Sequence, residues 1–142
     1  MKVLLTGATG YIGRRLLMSL LNSENKISIR LLVSDSRQVS PDIADKVEII
    51  EGNTFNSEAL QKSLKGIHTA YYLIHSMSSS KGDFEDLDRK SATVFINEAI
   101  ASGVKRVIYL GGLGERDSAS RHLASRQETG EILSAYPDKI ET

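Results

Sequence analysis

The opening segment, Met1-Lys2-Val3-Leu4-Leu5-Thr6-Gly7-Ala8-Thr9-Gly10-Tyr11-Ile12-Gly13, constrains the fold more than any other, because an apolar run enters three glycines spaced three apart. Lys2 to Thr6 is short, β-branched and leucine-rich, the composition of a strand buried on both faces. Residues 14–21 continue as a helix with Leu16, Leu17, Leu20 and Leu21 on its inner side. Strand, glycine turn and helix in that order make a dinucleotide-binding turn. In such a turn Gly7 takes backbone angles closed to other residues, and Gly10 lets the main chain approach a pyrophosphate with no Cβ in the way. Gly13 lets the helix pack close on the strand, and phosphates would meet free N–H groups at the helix's positive end.

The surrounding pattern agrees with that turn. About 20 residues on, a second strand, Ser28 to Val33, ends in polar Ser34-Asp35-Ser36-Arg37. A polar loop through Pro41 leads to a third strand at 47–51, closed by Gly52-Asn53. Ser57 reads as the N-cap of a helix carrying Leu60 and Leu64, which Lys65-Gly66 ends. Residues 69–74 form an uninterrupted apolar and aromatic fourth strand, followed by a small, polar loop at 76–82 where a strand's carboxyl end faces the ligand crevice. A long helix at 84–102 has Leu87, Val94, Phe95, Ile96, Ala99 and Ile100 at core spacing, with Gly103 as its cap. The fifth strand is 106–110, Gly111-Gly112-Leu113-Gly114 its exit turn, and 121–135 the last helix before Pro137. Right-handed crossovers then give an α/β fold, a doubly wound parallel sheet of strand order 3-2-1-4-5 with helices on both sides.

At 142 residues the chain is long enough for one core and one domain without disulfides. The 18 Lys and Arg balance the 18 Asp and Glu, so nothing in the charge invites nucleic acid or an anionic membrane. There is no cysteine, and His68, His75 and His122 lack the close pairing of a metal motif, so no metal site is expected. No apolar run approaches the roughly 20 residues of a membrane span, and Met1-Lys2 leaves no room for a signal peptide, which predicts a cytoplasmic protein.

Taken together, Thr6-Gly7-Ala8-Thr9-Gly10-Tyr11-Ile12-Gly13, Gly52-Asn53, the segment from Gly66 to Tyr71, the segment from Gly103 to Tyr109 and Ser125-Arg126-Gln127-Glu128 resemble an atypical short-chain dehydrogenase/reductase. Tyr72-Leu73-Ile74-His75-Ser76-Met77 and Gly82-Asp83-Phe84 are similar to the NmrA-like and nucleoside-diphosphate-sugar epimerase/dehydratase branch. The resemblance covers essentially the whole chain and implies a Rossmann-like, NAD(P)-binding domain over residues 1–142, stopping before a sixth strand and before the substrate-binding region of relatives. It implies a dinucleotide, NAD or NADP, held by Gly7, Gly10 and Gly13 with Thr9, Tyr11 and Ile12 in the same turn. Asn53 would lie near the adenine and the Ile74-His75 backbone near the nicotinamide-side ribose. At the end of the second strand Asp35 suits ribose hydroxyls, whereas Ser34, Arg37 or Arg14 suit a 2′-phosphate, a balance leaning to NADP.

In that superfamily a Ser/Thr, a Tyr and a Lys share catalysis, the Tyr giving the substrate oxygen a proton. Here His122 stands at the Tyr position, Arg126 at the Lys position, and Gly111 or Gly112 at the hydroxyl position. Imidazole can relay a proton, but a guanidinium cannot deprotonate. Two readings follow: the cofactor-binding part of an oxidoreductase or epimerase-like enzyme acting on a small molecule, or a non-catalytic NAD(P)-responsive regulator or assembly factor. With the three residues replaced and the C-terminal region absent, no appreciable dehydrogenase activity is expected of these 142 residues alone.

Overall fold

The apolar run at the start of the chain forms the middle of a sheet. In the computed structural model, which describes residues 1–76, 83–115 and 120–142, β1 (Lys2–Thr6) pairs in parallel with β2 (Ser28–Val33) and with β4 (Thr69–Tyr72). Outside these lie β3 (Glu48–Glu51) against β2 and β5 (Arg106–Tyr109) against β4, giving the expected order β3-β2-β1-β4-β5. On the open side of β5, Glu141 begins parallel pairing with Arg106, its carbonyl taking the Val107 N–H at 2.8 Å.

Alternation along the strands sorts the core into two layers, since successive side chains leave a strand on opposite faces. Val3, Leu5, Ile29, Leu31 and Val33 pack with Leu17 of α1 (Tyr11–Leu21) and Ile43 of the short α2 (Pro41–Ala44). Leu4, Leu32, Ala70, Tyr72 and Val107 face Leu60 of α3 (Ser57–Leu64), Phe95 of α4 (Phe84–Ala101) and Leu133 of α5 (Arg121–Leu133). Tyr72 and Phe95 meet edge to face at 4.9 Å between ring centroids. Among the described residues no helix is long and apolar enough to cross a membrane.

Four local expectations are corrected. The first helix begins at Tyr11, not at residue 14, because Gly10 is its N-cap and the Arg14 N–H already reaches the Gly10 carbonyl at 3.0 Å. The polar stretch after β2 contains a 3₁₀ turn at Ser36–Gln38 and then α2, which Pro41 opens with its pre-set φ. Asn56, not Ser57, caps α3, its side-chain oxygen accepting the Ala59 N–H at 2.9 Å. In α4 the buried stripe runs through Asp88, Ser91, Ala92, Phe95 and Ala99, while Leu87 is 38% exposed. The loop expected at 76–82 lies outside the described residues beyond Ser76.

One charge is built into the core layer beneath α3. Arg30 of β2 is 6% exposed and sends one terminal nitrogen to the carbonyls of Lys62, Ser63 and Lys65 at 2.9, 2.8 and 2.8 Å. Its Nε lies 3.0 Å from Glu48, which also pairs with Lys2. A cation at the negative end of a helix satisfies carbonyls that the helix itself leaves open. Arg30→Met keeps the volume but leaves those carbonyls without their donor, so chemical denaturation is expected to show a loss of about 1–3 kcal/mol. An unchanged midpoint would mean that water replaces the guanidinium without cost.

Candidate functional site

The three glycines of the first turn are required for different reasons. Gly7 has φ +67°, and a Cβ on it would stand 2.6 Å from the Leu73 carbonyl oxygen at the exit of β4. A Cβ on Gly13 would collide with the Gly7 carbonyl oxygen and come within 2.8 Å of the Ala8 Cα. These two glycines serve internal packing. Gly10 differs: its backbone is extended, with φ −76° and ψ 172°, and among the described residues its Cβ would meet nothing but the Gly7 oxygen at 3.4 Å. Neither conformation nor neighbours demand glycine at position 10, so the space beside it is open to a ligand.

That space lies at the positive end of α1. No side chain caps Gly10, and the first turn of α1 holds no acidic residue to neutralise the helix dipole. A cleft of about 170 Å³ adjoins it, lined by Gly7, Ala8, Thr9, Leu32, Val33, Ser34, Gly52, Asn53 and Ile74. It brings together five of the expected cofactor residues: Gly7, Thr9, Ser34, Asn53 and Ile74. The Asn53 side-chain oxygen is spent on its own turn, accepting the Phe55 and Asn56 N–H groups at 2.9 and 3.2 Å. Ile74 also lines a second, smaller cleft of about 90 Å³ with Ile12, Leu73, His75, Tyr109, Leu110 and Arg126. The two clefts thus meet at Ile74, along the carboxyl ends of the strands and at the β1/β4 switch point where open α/β sheets bind ligands.

Other expected residues are placed differently. Tyr11 is 70% exposed and lies under the Arg15 guanidinium rather than in either cleft. Asp35 and Arg37 form a two-pronged pair with each other, Nε to Oδ1 at 2.9 Å and a terminal nitrogen to Oδ2 at 2.8 Å. The Arg37 guanidinium holds the half-buried Asp35 carboxyl below the usual carboxylate range. Arg14 has no ion pair among the described residues and lines a third cleft, of about 360 Å³, with Thr9, Gln38 and Ser40.

At the other end, His122 is exposed and stacks on Phe84, ring centroids 4.3 Å apart and 14° from parallel. Its ring is 6.2 Å from that of His75. Arg126 enters the small cleft, with its guanidinium donating to the Leu110 and Gly111 carbonyls at 2.9 and 3.2 Å. Sequence reasoning missed Asp88, which is 2% exposed on α4. Its carboxylate accepts the Ser76 N–H at 2.8 Å and the Ser125 hydroxyl at 3.1 Å, and lies 2.9 Å from His75 Nδ1. An acid within an otherwise apolar helical stripe was the one available signal. Sequence reasoning also missed Thr6, whose hydroxyl bonds the Tyr71 carbonyl and takes the Leu73 N–H, fastening the β4 exit to the first turn.

Fold and turn together define a nucleotide-binding α/β protein. A family model described as NAD(P)H-binding matches residues 7–141, and the chain belongs to that family. The sterol demethylase protein B of Methylococcus capsulatus is 26% identical over 117 residues, covering 80% of this chain and 35% of that protein. The Citrobacter sp. triphenylmethane reductase complexed with NADP(H) superposes with a TM-score of 0.78 at 22% identity, over 95% of this chain and 46% of that one. A nucleoside-diphosphate-sugar epimerase from Staphylococcus aureus superposes with a TM-score of 0.75 at 21% identity, over 95% of this chain and 47% of that one. The chain therefore spans about a third of its curated relative and less than half of these structures. The expected family resemblance, the parallel sheet and an NAD(P) cofactor are all borne out.

The division of labour among the glycines is open to a direct check. Gly10→Val is expected to abolish the rise in melting temperature caused by NADP⁺ while leaving the circular dichroism spectrum intact. Gly13→Ala, by contrast, should lower the melting temperature without ligand, at a cost of about 1–3 kcal/mol. A Gly10→Val protein that still responds to NADP⁺ would remove this turn from the site.

Proposed function

We propose that the chain is the cofactor-binding part of an oxidoreductase, taking NADP(H) across the switch point with the adenosine half in the cleft of Ser34 and Asn53. The observation that carries this reading is Gly10, a glycine that no internal contact requires, at the uncapped positive end of α1. The residues present suit a dinucleotide: a backbone cradle for the pyrophosphate, apolar Leu32 and Val33 beside an adenine, and an open cleft toward His75 and Arg126. When bound, the dinucleotide would supply two-electron redox chemistry. The chain's own residues bind and orient it and handle a proton at its nicotinamide end.

The preference for a 2′-phosphate rests on charge. Asp35 repels a phosphate, but Arg37 neutralises it in a bidentate pair, and Arg14 stands unpaired among the described residues beside Thr9 and Ser40. A non-catalytic sensor is the second reading, favoured by the stacking of His122 on Phe84 and the use of Arg126 to cap strand-exit carbonyls. Oxidation of NADPH in a screen of aldehydes, ketones and quinones supports the enzyme; tight NADP⁺ binding with no turnover by the full-length protein supports the sensor.

Cofactor choice responds to three side chains in opposite senses. Asp35→Ala should raise the NADP/NAD affinity ratio, whereas Arg37→Ala, which unmasks Asp35, and Arg14→Ala should lower it, as read by calorimetric titrations with each dinucleotide. Ratios that stay constant in all three variants would make these residues solvated loop charges and end the preference for NADP.

A further inference from the structure

We propose that His75, with its tautomer set by Asp88, is the proton-transfer residue at the nicotinamide end of the crevice, in place of the helix residue His122. This rests on the reading of the chain as the cofactor-binding part of an oxidoreductase. The substrate class is a small carbonyl or alcohol.

His75 follows β4 by three residues and lines the small cleft that Ile74 joins to the larger one. Its Nδ1 is 2.9 Å from a carboxylate oxygen of Asp88, which is anchored from two further directions by the Ser76 N–H and the Ser125 hydroxyl. A carboxylate held in this way accepts the Nδ1 proton, so the neutral ring carries its lone pair on Nε2. Nε2 is buried and has no hydrogen-bond partner among the described residues. An unpaired buried polar atom costs about 1–3 kcal/mol, a cost that an imidazole present only to satisfy Asp88 would not explain.

Two residues expected at the catalytic positions are committed elsewhere. His122 is stacked on Phe84, and the Arg126 guanidinium bonds strand-exit carbonyls. Among the described residues, the charged and titratable groups around the His75 ring are Asp88 from α4, His122 and Arg126 from α5 and the Tyr109 hydroxyl from β5. Of these, Asp88 alone forms an ion pair with it, and Tyr109 donates its own proton to the Arg126 carbonyl at 3.0 Å.

In the reducing direction the substrate carbon gains a hydrogen with its electron pair from the reduced dinucleotide, which is oxidised. The carbonyl oxygen takes the proton of protonated His75 at Nε2, giving the alcohol. The ring is left neutral with its Nδ1 proton still on the Asp88 hydrogen bond, and Nε2 regains its proton from water that enters the small cleft once the alcohol leaves. In the oxidising direction neutral Nε2 receives the proton from the alcohol. Asp88 is a positioning residue throughout: it keeps the Nδ1 proton and steadies the imidazolium.

Long-range ¹H–¹⁵N correlation spectra of the 142-residue chain read the ring nitrogens of His75 one by one, with His75→Gln as the assignment control. In spectra recorded at a pH where the ring is neutral, the expected result is a single proton on Nδ1, and a resonance shift on NADP⁺ addition that is larger at Nε2 than at Nδ1. Asp88→Asn should lose the single tautomer while calorimetry still reports NADP⁺ binding; if that variant fails to fold, the wild-type spectra decide alone. A neutral ring protonated at Nε2, or unmoved His75 nitrogens in a chain that calorimetry shows to bind NADP⁺, would overturn the assignment to His75 and leave the cofactor reading standing. Failure of NADP⁺ to bind at all would remove both.

Discussion

Everything at the ligand side of this molecule depends on how closely three stretches of backbone approach one another at Gly7. The exit of β4 presses on it at Leu73 from one side, and the first turn of α1 presses on its carbonyl at Gly13 from the other. A side chain at Gly7 or Gly13 would force these segments apart. The Thr6 hydroxyl, bridging the Tyr71 carbonyl and the Leu73 N–H, adds a directional tie at the same point. The positive end of α1 is thereby held beside the place where β1 and β4 part, next to the crevice that opens there.

What hangs on this frame is polar and mostly local to the strand ends. Ile74 lines both the cleft of about 170 Å³ and the smaller one of about 90 Å³, so a single residue marks where the two meet. Behind the β4 exit, Asp88 gathers His75 and the neighbouring Ser76 N–H from one segment and the Ser125 hydroxyl from α5. One turn further along α4, Ser91 joins the Tyr72 and Thr54 hydroxyls at 2.8 and 2.7 Å. Burial raises the Tyr72 phenol well above its ordinary value, which keeps it a neutral link in that chain. The same helix that covers the sheet therefore also holds, through Asp88, the His75 that lines the smaller cleft.

The sheet order was legible because apolar runs separated by helical stretches leave few right-handed topologies, and the glycine spacing was legible because backbone geometry imposes it directly. What the sequence concealed were contacts made across the fold. Leu87 matches the core period of α4, yet the neighbouring Asp88 is the residue turned inward, because His75 and Ser125 wait for it 13 and 37 residues away. Arg30 looks misplaced in an apolar strand until α3 brings its carbonyls over the strand. Asp35 and Arg37 read as rival ligands for a ribose, and their two-residue spacing in fact lets them bind each other. The start of α1 was misjudged because a glycine at an N-cap gives no side-chain signal.

The central claim is that a dinucleotide lies along the carboxyl edge of the sheet and crosses it at Ile74. Backbone amide chemical-shift mapping with NADP⁺ tests this most directly. The account predicts shifts at Gly7, Gly10, Ser34, Asn53 and Ile74, with Lys2, Ser28 and Arg106 at the opposite ends of the strands unmoved. Shifts concentrated at that amino edge or on the outer face of α4 and α5, with the glycine turn silent, would contradict it.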